Sequence, residues 1–133
     1  MGDPLLVDGR TLALTRRVVE VAGIPVVVRT GEQDEGPATI LLHGAAGSWT
    51  TWTPLLQAAE RQGAPLANLV IPDLPGWGET PSAGGSVREV ADLGDLVAGI
   101  AEALGFASWT VAGHSLGGFL ALDLAARRPD ETV

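Results

Sequence analysis

The eight residues "VAGHSLGG" at 111–118 contain a serine with a glycine two positions away on each side. They join an apolar run, "SWTVAG" at 108–113, to an amphipathic run, "LGGFLALDLAARR" at 116–128. The first run is typical of a buried strand and the second of a helix, so Ser115 is predicted at the corner between them. In open α/β folds such a corner lies at the carboxyl edge of the sheet, where ligands bind.

A sharp strand-to-helix corner needs neighbours that are almost free of side chains. Gly113 and Gly117 meet that need, and Gly118 is expected to let the helix lie close to the strand. The first turn of the helix would also direct unbonded N–H groups and a positive dipole end at the corner. We therefore interpret Ser115 as a nucleophile rather than only as a helix cap.

The rest of the chain predicts alternating strands and helices. We expect a hairpin over 11–31 with its turn at Gly23–Ile24–Pro25, then a strand from Thr39 to His43. A helix follows with Thr53 as N-cap and Pro54 in its first position, ending at Gly63, and then a strand over 66–72. Ser86 and Glu89 predict a capping box at the start of a long helix that stops at Gly105.

This order, β-β-β-α-β-α-β-α, predicts an α/β fold. Strands such as "TILL" at 39–42 are apolar without alternation, which suits a sheet covered on both faces. The strand–helix alternation favours a mostly parallel sheet with helices on both faces.

Composition excludes several classes of function. The 133 residues carry a formal net charge of −8, and all eight basic residues are arginine. Such an acidic chain repels phosphate backbones and anionic lipid, so we expect neither nucleic acid nor a membrane surface as a partner. The absence of cysteine excludes disulfides and thiolate metal sites, and no metal or cofactor is expected.

The first residues, "MGDPLLVDGRT", lack the basic and apolar regions of a secretory signal. No stretch approaches the roughly 18 apolar residues of a membrane span. A cytoplasmic location is the resulting expectation, and the oligomeric state is left open.

A serine that attacks an acyl carbon produces an oxyanion, which needs two donors already in place. The amide of Leu116, directly after the serine, is the natural first donor. The second should lie in the loop after an earlier central strand, and "LLHGAAGS" at 41–48 is such a loop.

Three motifs, "HGAAGS" at 43–48, "DLPGWGET" at 73–80 and "GHSLGG" at 113–118, together resemble the α/β-hydrolase superfamily. The resemblance covers roughly residues 18–133 and implies a strand order of 1-2-4-3-5. It implies Ser115 as the nucleophile, with the backbone amides of Ala45 and Leu116 as the oxyanion hole. The serine argues against the branches that use an aspartate nucleophile, such as dehalogenases and epoxide hydrolases.

A serine nucleophile needs a histidine base and an acid that orients it. The chain has two histidines. The resemblance implies that His43 organises the loop that carries Ala45, which is called the oxyanion loop below. We expect His114 to pack or support the corner, because successive side chains diverge at such a turn. The resemblance makes Asp73 a turn former rather than the acid.

Tryptophans flank these motifs. Three of them lie in or beside loops that would rim the site, namely Trp49, Trp52 and Trp77. Each could either line a pocket or simply pack its loop, and the sequence favours neither role. Trp109, at the start of a strand, is expected in the core.

Members of the superfamily place the acid and the histidine after further strands. Residues 1–133 are therefore expected to be the N-terminal part of one hydrolase domain, which ends after the nucleophile helix as the next strand begins. The triad acid, its histidine and any cap would then lie outside this chain, and the chain alone is expected to be inactive.

The favoured function is a serine hydrolase that cleaves an ester or similar acyl bond of a small molecule through an acyl-enzyme. Esterase, lipase, thioesterase, C–C hydrolase and perhydrolase activities remain open. The alternative is a non-catalytic binding protein, or a truncated relic, on the same fold. Nucleotide binding is a weaker third hypothesis, because the glycines follow neither G-x-G-x-x-G nor G-K-[ST].

Overall fold

A computed structural model describes residues 12–87 and 89–133. Two predictions concern residues outside this range: the start of the hairpin at Thr11, and the lack of a secretory signal in the first eleven residues. The strands are β1 Thr15–Val21, β2 Ile24–Thr30, β3 Ala38–Leu42, β4 Leu69–Pro72 and β5 Trp109–Gly113. The helices are α1 Thr53–Arg61, α2 Val90–Ala103 and α3 Leu116–Arg127, with short 3-10 turns at Trp49–Trp52 and Gly84–Ser86.

The described strands form one sheet in the order β1-β2-β4-β3-β5, which confirms the order implied by the resemblance. β3 pairs in parallel with β4 on one side and with β5 on the other. β2 is antiparallel to both β1 and β4, so every strand except β2 runs in the same direction. The carboxyl ends of β3, β4 and β5 therefore meet at one edge of the sheet, which is where ligands bind in open α/β folds.

Helices cover both faces of the sheet, as predicted. On one face α2 and α3 pack on a core of strand residues that includes Val28, Ile40, Leu42, Val70 and Trp109. On the other face Leu56 of α1 packs against Leu41, Leu69 and Ile71. Consecutive residues of β3 and β4 thus face opposite cores, which explains why these strands are apolar without alternation.

The hairpin turn differs from the prediction. It is formed by Ala22 and Gly23, which have φ angles of 52° and 80°, and Ile24 and Pro25 already belong to β2. Two-residue hairpin loops with positive φ at both central positions match the twist of the strands, and this outweighs the turn preference of proline. Pro25 pairs with Glu20 across the hairpin, in a part of β2 that makes no register pair with β4.

Two predicted helix starts are also wrong. Thr53 is the first residue of α1 rather than its cap, because the preceding 3-10 turn runs directly into the helix and is itself capped by Ser48. The long helix begins at Val90 with Glu89 as its N-cap, so the predicted box at Ser86 and Glu89 is replaced by one between Glu89 and Asp92. The Glu89 amide donates to the Asp92 carboxylate over 3.2 Å.

The last residues lie against the outer edge of β5. Thr132 forms a parallel bridge with Trp109, whose amide donates to the carbonyl of Glu131 over 2.8 Å. The Val133 amide in turn donates to the Trp109 carbonyl over 2.9 Å. A single parallel bridge thus lies where the next strand was expected to begin.

Candidate active site

Ser115 lies at the corner between β5 and α3, as the N-cap residue of the helix. Its backbone has φ 56° and ψ −116°, a conformation that L-residues rarely adopt and that costs on the order of 1–3 kcal/mol. Ser115 is exposed, and no side chain of residues 12–87 and 89–133 hydrogen-bonds its hydroxyl. The corner thus presents a free hydroxyl at the carboxyl edge of the sheet, where the sequence placed it.

Two glycines make this corner possible. A Cβ added at Gly113 would overlap the carbonyl of Gly117, and a Cβ added at Gly117 would overlap the carbonyl of Leu42 on β3. At Gly118 the nearest atom to such a Cβ would be the carbonyl oxygen of Gly113 at 3.5 Å, an ordinary contact. The close approach of α3 to the sheet therefore depends on Gly117, and the role predicted for Gly118 is wrong.

The loop after β3 reaches the corner. A Cβ placed on Gly44 would lie 3.0 Å from the Cβ of Ser115 and 3.1 Å from the carbonyl oxygen of His114. Among the described residues, the amides of Ala45 and Leu116 have no hydrogen-bond acceptor. Both amides are thus available as donors near Ser115, and their convergence on one point stays a prediction.

His43 is fully buried and both of its ring nitrogens are occupied. The Leu74 amide donates to Nε2 over 3.0 Å, so this nitrogen carries no proton. Nδ1 must then hold the proton, which it donates to the Gly44 carbonyl at 2.6 Å. His43 therefore links the oxyanion loop to the residue after Asp73, and neither nitrogen is free to take a proton from Ser115.

Asp73 is buried and connects two loops. Its Oδ1 accepts from the Trp49 amide over 2.7 Å, and its Oδ2 accepts from the Glu79 amide over 3.0 Å. Gly78, with φ 53°, packs so closely on this carboxylate that any Cβ would overlap it. The predicted structural role for Asp73 agrees with these contacts, since both oxygens already bond to backbone amides.

The structure adds two residues that the sequence analysis missed, Arg29 and Glu79. Glu79 accepts from Arg29 over 2.8 Å and from Arg16 over 2.7 Å. The hydrogen bond from Arg29, and next the one from Arg16, hold the pKa of Glu79 below its usual range. The guanidinium of Arg29 also stands 4.8 Å from the centroid of the Trp49 ring. The sequence signal that could have found Arg29 is that it is the single charge in the apolar strand "IPVVVRT" at 24–30.

His114 is exposed and its amide bonds to the carbonyl of Leu42 over 3.0 Å. Its Nδ1 would lie 3.2 Å from a Cβ on Gly44, so the ring stands beside the oxyanion loop. No hydrogen bond joins this ring to Ser115 within the described part of the chain.

The tryptophans separate into three settings. Trp49 is buried in the core beneath α1, and Trp52 packs at the margin of the same core. Trp77 is 36% exposed, which leaves it as the candidate for the rim of the site. Trp109 is fully buried in the other core, as predicted.

A cavity of about 370 Å³ lies at the other end of the parallel strands from Ser115, between the end of β2 and the start of β4. Gly31, Leu56 and Leu69 line it, and none of the predicted site residues does. Within residues 12–87 and 89–133, no three acidic or histidine side chains come together as a metal site would require. No helix in the same part of the chain has the length and hydropathy that crossing a membrane requires.

Comparison with known proteins places these features in a family. Over 110 residues the chain is 32% identical to "Putative carbamate hydrolase RutD" of Caulobacter sp. (strain K31), which covers 83% of this chain and 40% of that protein. It is 28% identical over 113 residues to an epoxide hydrolase of Caballeronia sordidicola, covering 84% of this chain and 33% of that one. The crystal structure of a membrane phospholipase A, a bacterial virulence factor, superimposes with a TM-score of 0.79 at 27% identity, over 96% of this chain and 42% of that one.

The chain thus spans 40% or less of the length of these two curated relatives. The alpha/beta hydrolase fold family matches residues 37–131, which include the loop after β3, the turn after β4 and the Ser115 corner. By this match and by the architecture of its sheet, the chain belongs to the alpha/beta hydrolase fold family.

Proposed function

We propose that this chain carries the nucleophile and the oxyanion hole of a serine hydrolase that acts on an ester or similar acyl compound. The observation that carries the proposal is the Ser115 corner, because an exposed serine is held in a strained conformation at the carboxyl edge of the sheet. Such strain is characteristic of functional sites and is the geometry of a nucleophile elbow. A serine that served only as a helix cap would not need it.

The reaction follows from the groups around the corner. Ser115 Oγ attacks the acyl carbon, and the electron pair of the carbonyl bond moves to its oxygen. The amides of Ala45 and Leu116, which have no acceptor among the described residues, donate to that oxyanion. The carbonyl bond then re-forms as the bond to the leaving group breaks, and the leaving group takes the proton given up by Ser115. Water attacks the resulting acyl-enzyme, which releases the acid and restores the Ser115 hydroxyl.

The base that takes the proton of Ser115 is proposed to lie outside these 133 residues. Both nitrogens of His43 are engaged, and the ring of His114 lies beside Gly44 without bonding the hydroxyl. These are the two histidines of the chain. We therefore propose that residues 1–133 form the nucleophile-bearing part of one hydrolase domain, and that they turn over substrate poorly by themselves.

The named relatives represent two kinds of hydrolysis. The carbamate hydrolase and the phospholipase fit attack on an acyl carbon. The epoxide hydrolase represents another reaction, for which the resemblance implied an aspartate at the nucleophile position. The residue at that position here is Ser115, and this supports the acyl-transfer branch.

The test is hydrolysis of a short-chain activated ester by the full-length product of the gene that encodes this chain. We expect Ser115→Ala to lower kcat by about 10³-fold or more, since the nucleophile is lost. Ser108→Ala, at the other end of β5, is the matched control and should keep wild-type turnover. Turnover that survives Ser115→Ala would show that another group is the nucleophile. Absence of turnover from a folded wild type would favour the non-catalytic binding protein.

A further inference from the structure

A charged side chain from the antiparallel strand reaches the loop beside Ser115. Arg29 belongs to β2, and β4 separates that strand from β3. Its guanidinium nevertheless lies over the ring of Trp49, 4.8 Å from the centroid, within the range of a cation–π contact. Trp49 is the last residue of the loop at 43–49 that follows β3, so the contact joins two regions far apart in sequence.

The same tryptophan is also held at its backbone. Its amide donates to Asp73 over 2.7 Å, and the other oxygen of Asp73 accepts from the Glu79 amide. The Glu79 carboxylate binds Arg29 over 2.8 Å. Each of four residues therefore contacts the next, from Arg29 through Glu79 and Asp73 to Trp49 and back to Arg29. The tryptophan is held at both its ring and its amide.

Arg29 is a costly residue for a sheet. Its side chain is only 6% exposed, and its Nη1 is buried without a partner among the described residues. Burying an incompletely bonded cation opposes folding, and an apolar side chain at this position would avoid the penalty. The ion pair with Glu79 and the contact with the Trp49 ring offset part of this cost, and the second contact acts directly on the loop beside Ser115.

We propose that Arg29 is a positioning residue for the oxyanion loop, defined here as residues 43–49. This inference rests on the proposed function, because it assigns Arg29 a part in the step that the loop serves. His43 fixes the first end of the loop through Gly44 and Leu74. Arg29 and Asp73 fix the other end through Trp49, so the Ala45 amide is held between two anchors before substrate arrives.

The kinetic test compares Arg29→Met with wild type in the full-length gene product. A misplaced oxyanion donor weakens binding of the transition state more than that of the substrate. We expect kcat to fall roughly 10- to 100-fold while KM changes less than about threefold. The melting temperature should stay within about 4 °C of wild type, because a buried cation is replaced by an apolar side chain.

Two further variants separate positioning from general stability. Arg127→Met removes an ion pair to Asp95 on α2 and another to Asp123 within α3, both away from the loop, and should leave kcat unchanged. Arg29→Lys keeps the charge beside Glu79 and should recover part of the lost kcat. A fall in kcat that accompanies a large fall in melting temperature, without recovery by lysine, would show a merely structural role and overturn the inference.

Hydrogen exchange supplies a readout that does not depend on activity. The amides of Gly47 and Trp49, which donate to the Gly44 carbonyl and to Asp73, should exchange faster in Arg29→Met than in wild type, while those of α3 stay unchanged. Unchanged exchange in the loop would overturn the inference even where Ser115 proves to be the nucleophile. Loss of the proposed function alone would appear as ester turnover independent of Ser115, with the exchange effect of Arg29→Met still present.

Discussion

At the scale of single residues, the site depends on backbone geometry that few side chains permit. Ser115 holds a positive φ of 56°, and Gly117 lies against the carbonyl of Leu42 with no room for a methyl group. Gly118 is in the same helical turn but has room for one. A side chain is thus excluded at Gly117 but tolerated at Gly118. Because the two glycines are adjacent, the same substitution at each position gives a matched comparison.

We predict that Gly117→Ala lowers the free energy of unfolding by more than about 3 kcal/mol, because the new Cβ would overlap the backbone of β3. Gly118→Ala should change it by less than about 1 kcal/mol, and in the stabilising direction, since alanine favours a helix. Urea unfolding of both variants measures the difference. Equal losses in the two variants would mean that α3 does not approach β3 as described.

The two histidines form a second pair. His43→Ala leaves the buried Leu74 amide without an acceptor and opens a cavity, so the free energy of unfolding should fall by about 2–4 kcal/mol. His114→Ala removes an exposed ring and should cost less than about 0.5 kcal/mol. Thermal unfolding of the two variants checks this, and a cost at His114 as large as at His43 would argue against the assigned roles.

At the scale of elements, the turn after β4 is joined to the hairpin through Glu79. The pKa of Glu79 is lowered by Arg29 and then by Arg16, so its ionised form stabilises the folded chain. That stabilisation is complete above the ordinary value of 4.5 and is lost as the pH falls through the lowered value in the folded state. It should not exceed about 1 kcal/mol, because the carboxylate is 48% exposed and solvent screens the pairs.

Glu79→Gln tests this dependence on pH. The difference in free energy of unfolding between wild type and Glu79→Gln should be constant from neutral pH to about pH 5 and should shrink below that. Glu35→Gln, at an exposed carboxylate without an ion pair among the described residues, is the control and should show no such trend. A difference that grows as the pH falls would contradict the direction of the shift.

The elements themselves were largely predictable because apolar runs and glycine corners are local signals. Ser115 at the end of β5 was predicted from "VAGHSLGG", and the two-faced core from the unbroken apolar strands. The turn at Ala22–Gly23 was missed because strand twist favours two-residue loops over the preference of Pro25. Arg29 and Glu79 could not be predicted, because their contact joins residues 50 positions apart and leaves no periodic pattern.

At the scale of the whole molecule, the sheet is covered unevenly near β5. Thr110 and Ala112 are exposed on the face that carries α1, and beyond Trp109 the outer edge of β5 makes no register pair within the described residues. On α3, Phe119 and Leu122 are 67% and 69% exposed. Unpaired strand edges and apolar patches favour association with other chains.

We therefore predict that residues 1–133, expressed alone, self-associate with rising concentration. Replacing Phe119 and Leu122 by glutamate should shift the chain toward monomer, because charge opposes burial of this surface. Leu55→Glu changes an exposed leucine of α1, the helix on the other face of the sheet. It is the matched control and should not shift the chain toward monomer. Sedimentation velocity over a concentration series measures this, and a wild-type chain that stays monomeric throughout would contradict the prediction.

The central claim is that Ser115 forms an acyl-enzyme, and mass spectrometry of the quenched reaction tests it most directly. The full-length gene product is mixed with a short-chain activated ester, quenched in acid and digested. We predict that the mass of one acyl group appears on the peptide that contains Ser115, in wild type and in Ser108→Ala, and is absent from Ser115→Ala. An acyl group on another residue, or turnover with Ser115 never modified, would contradict the account.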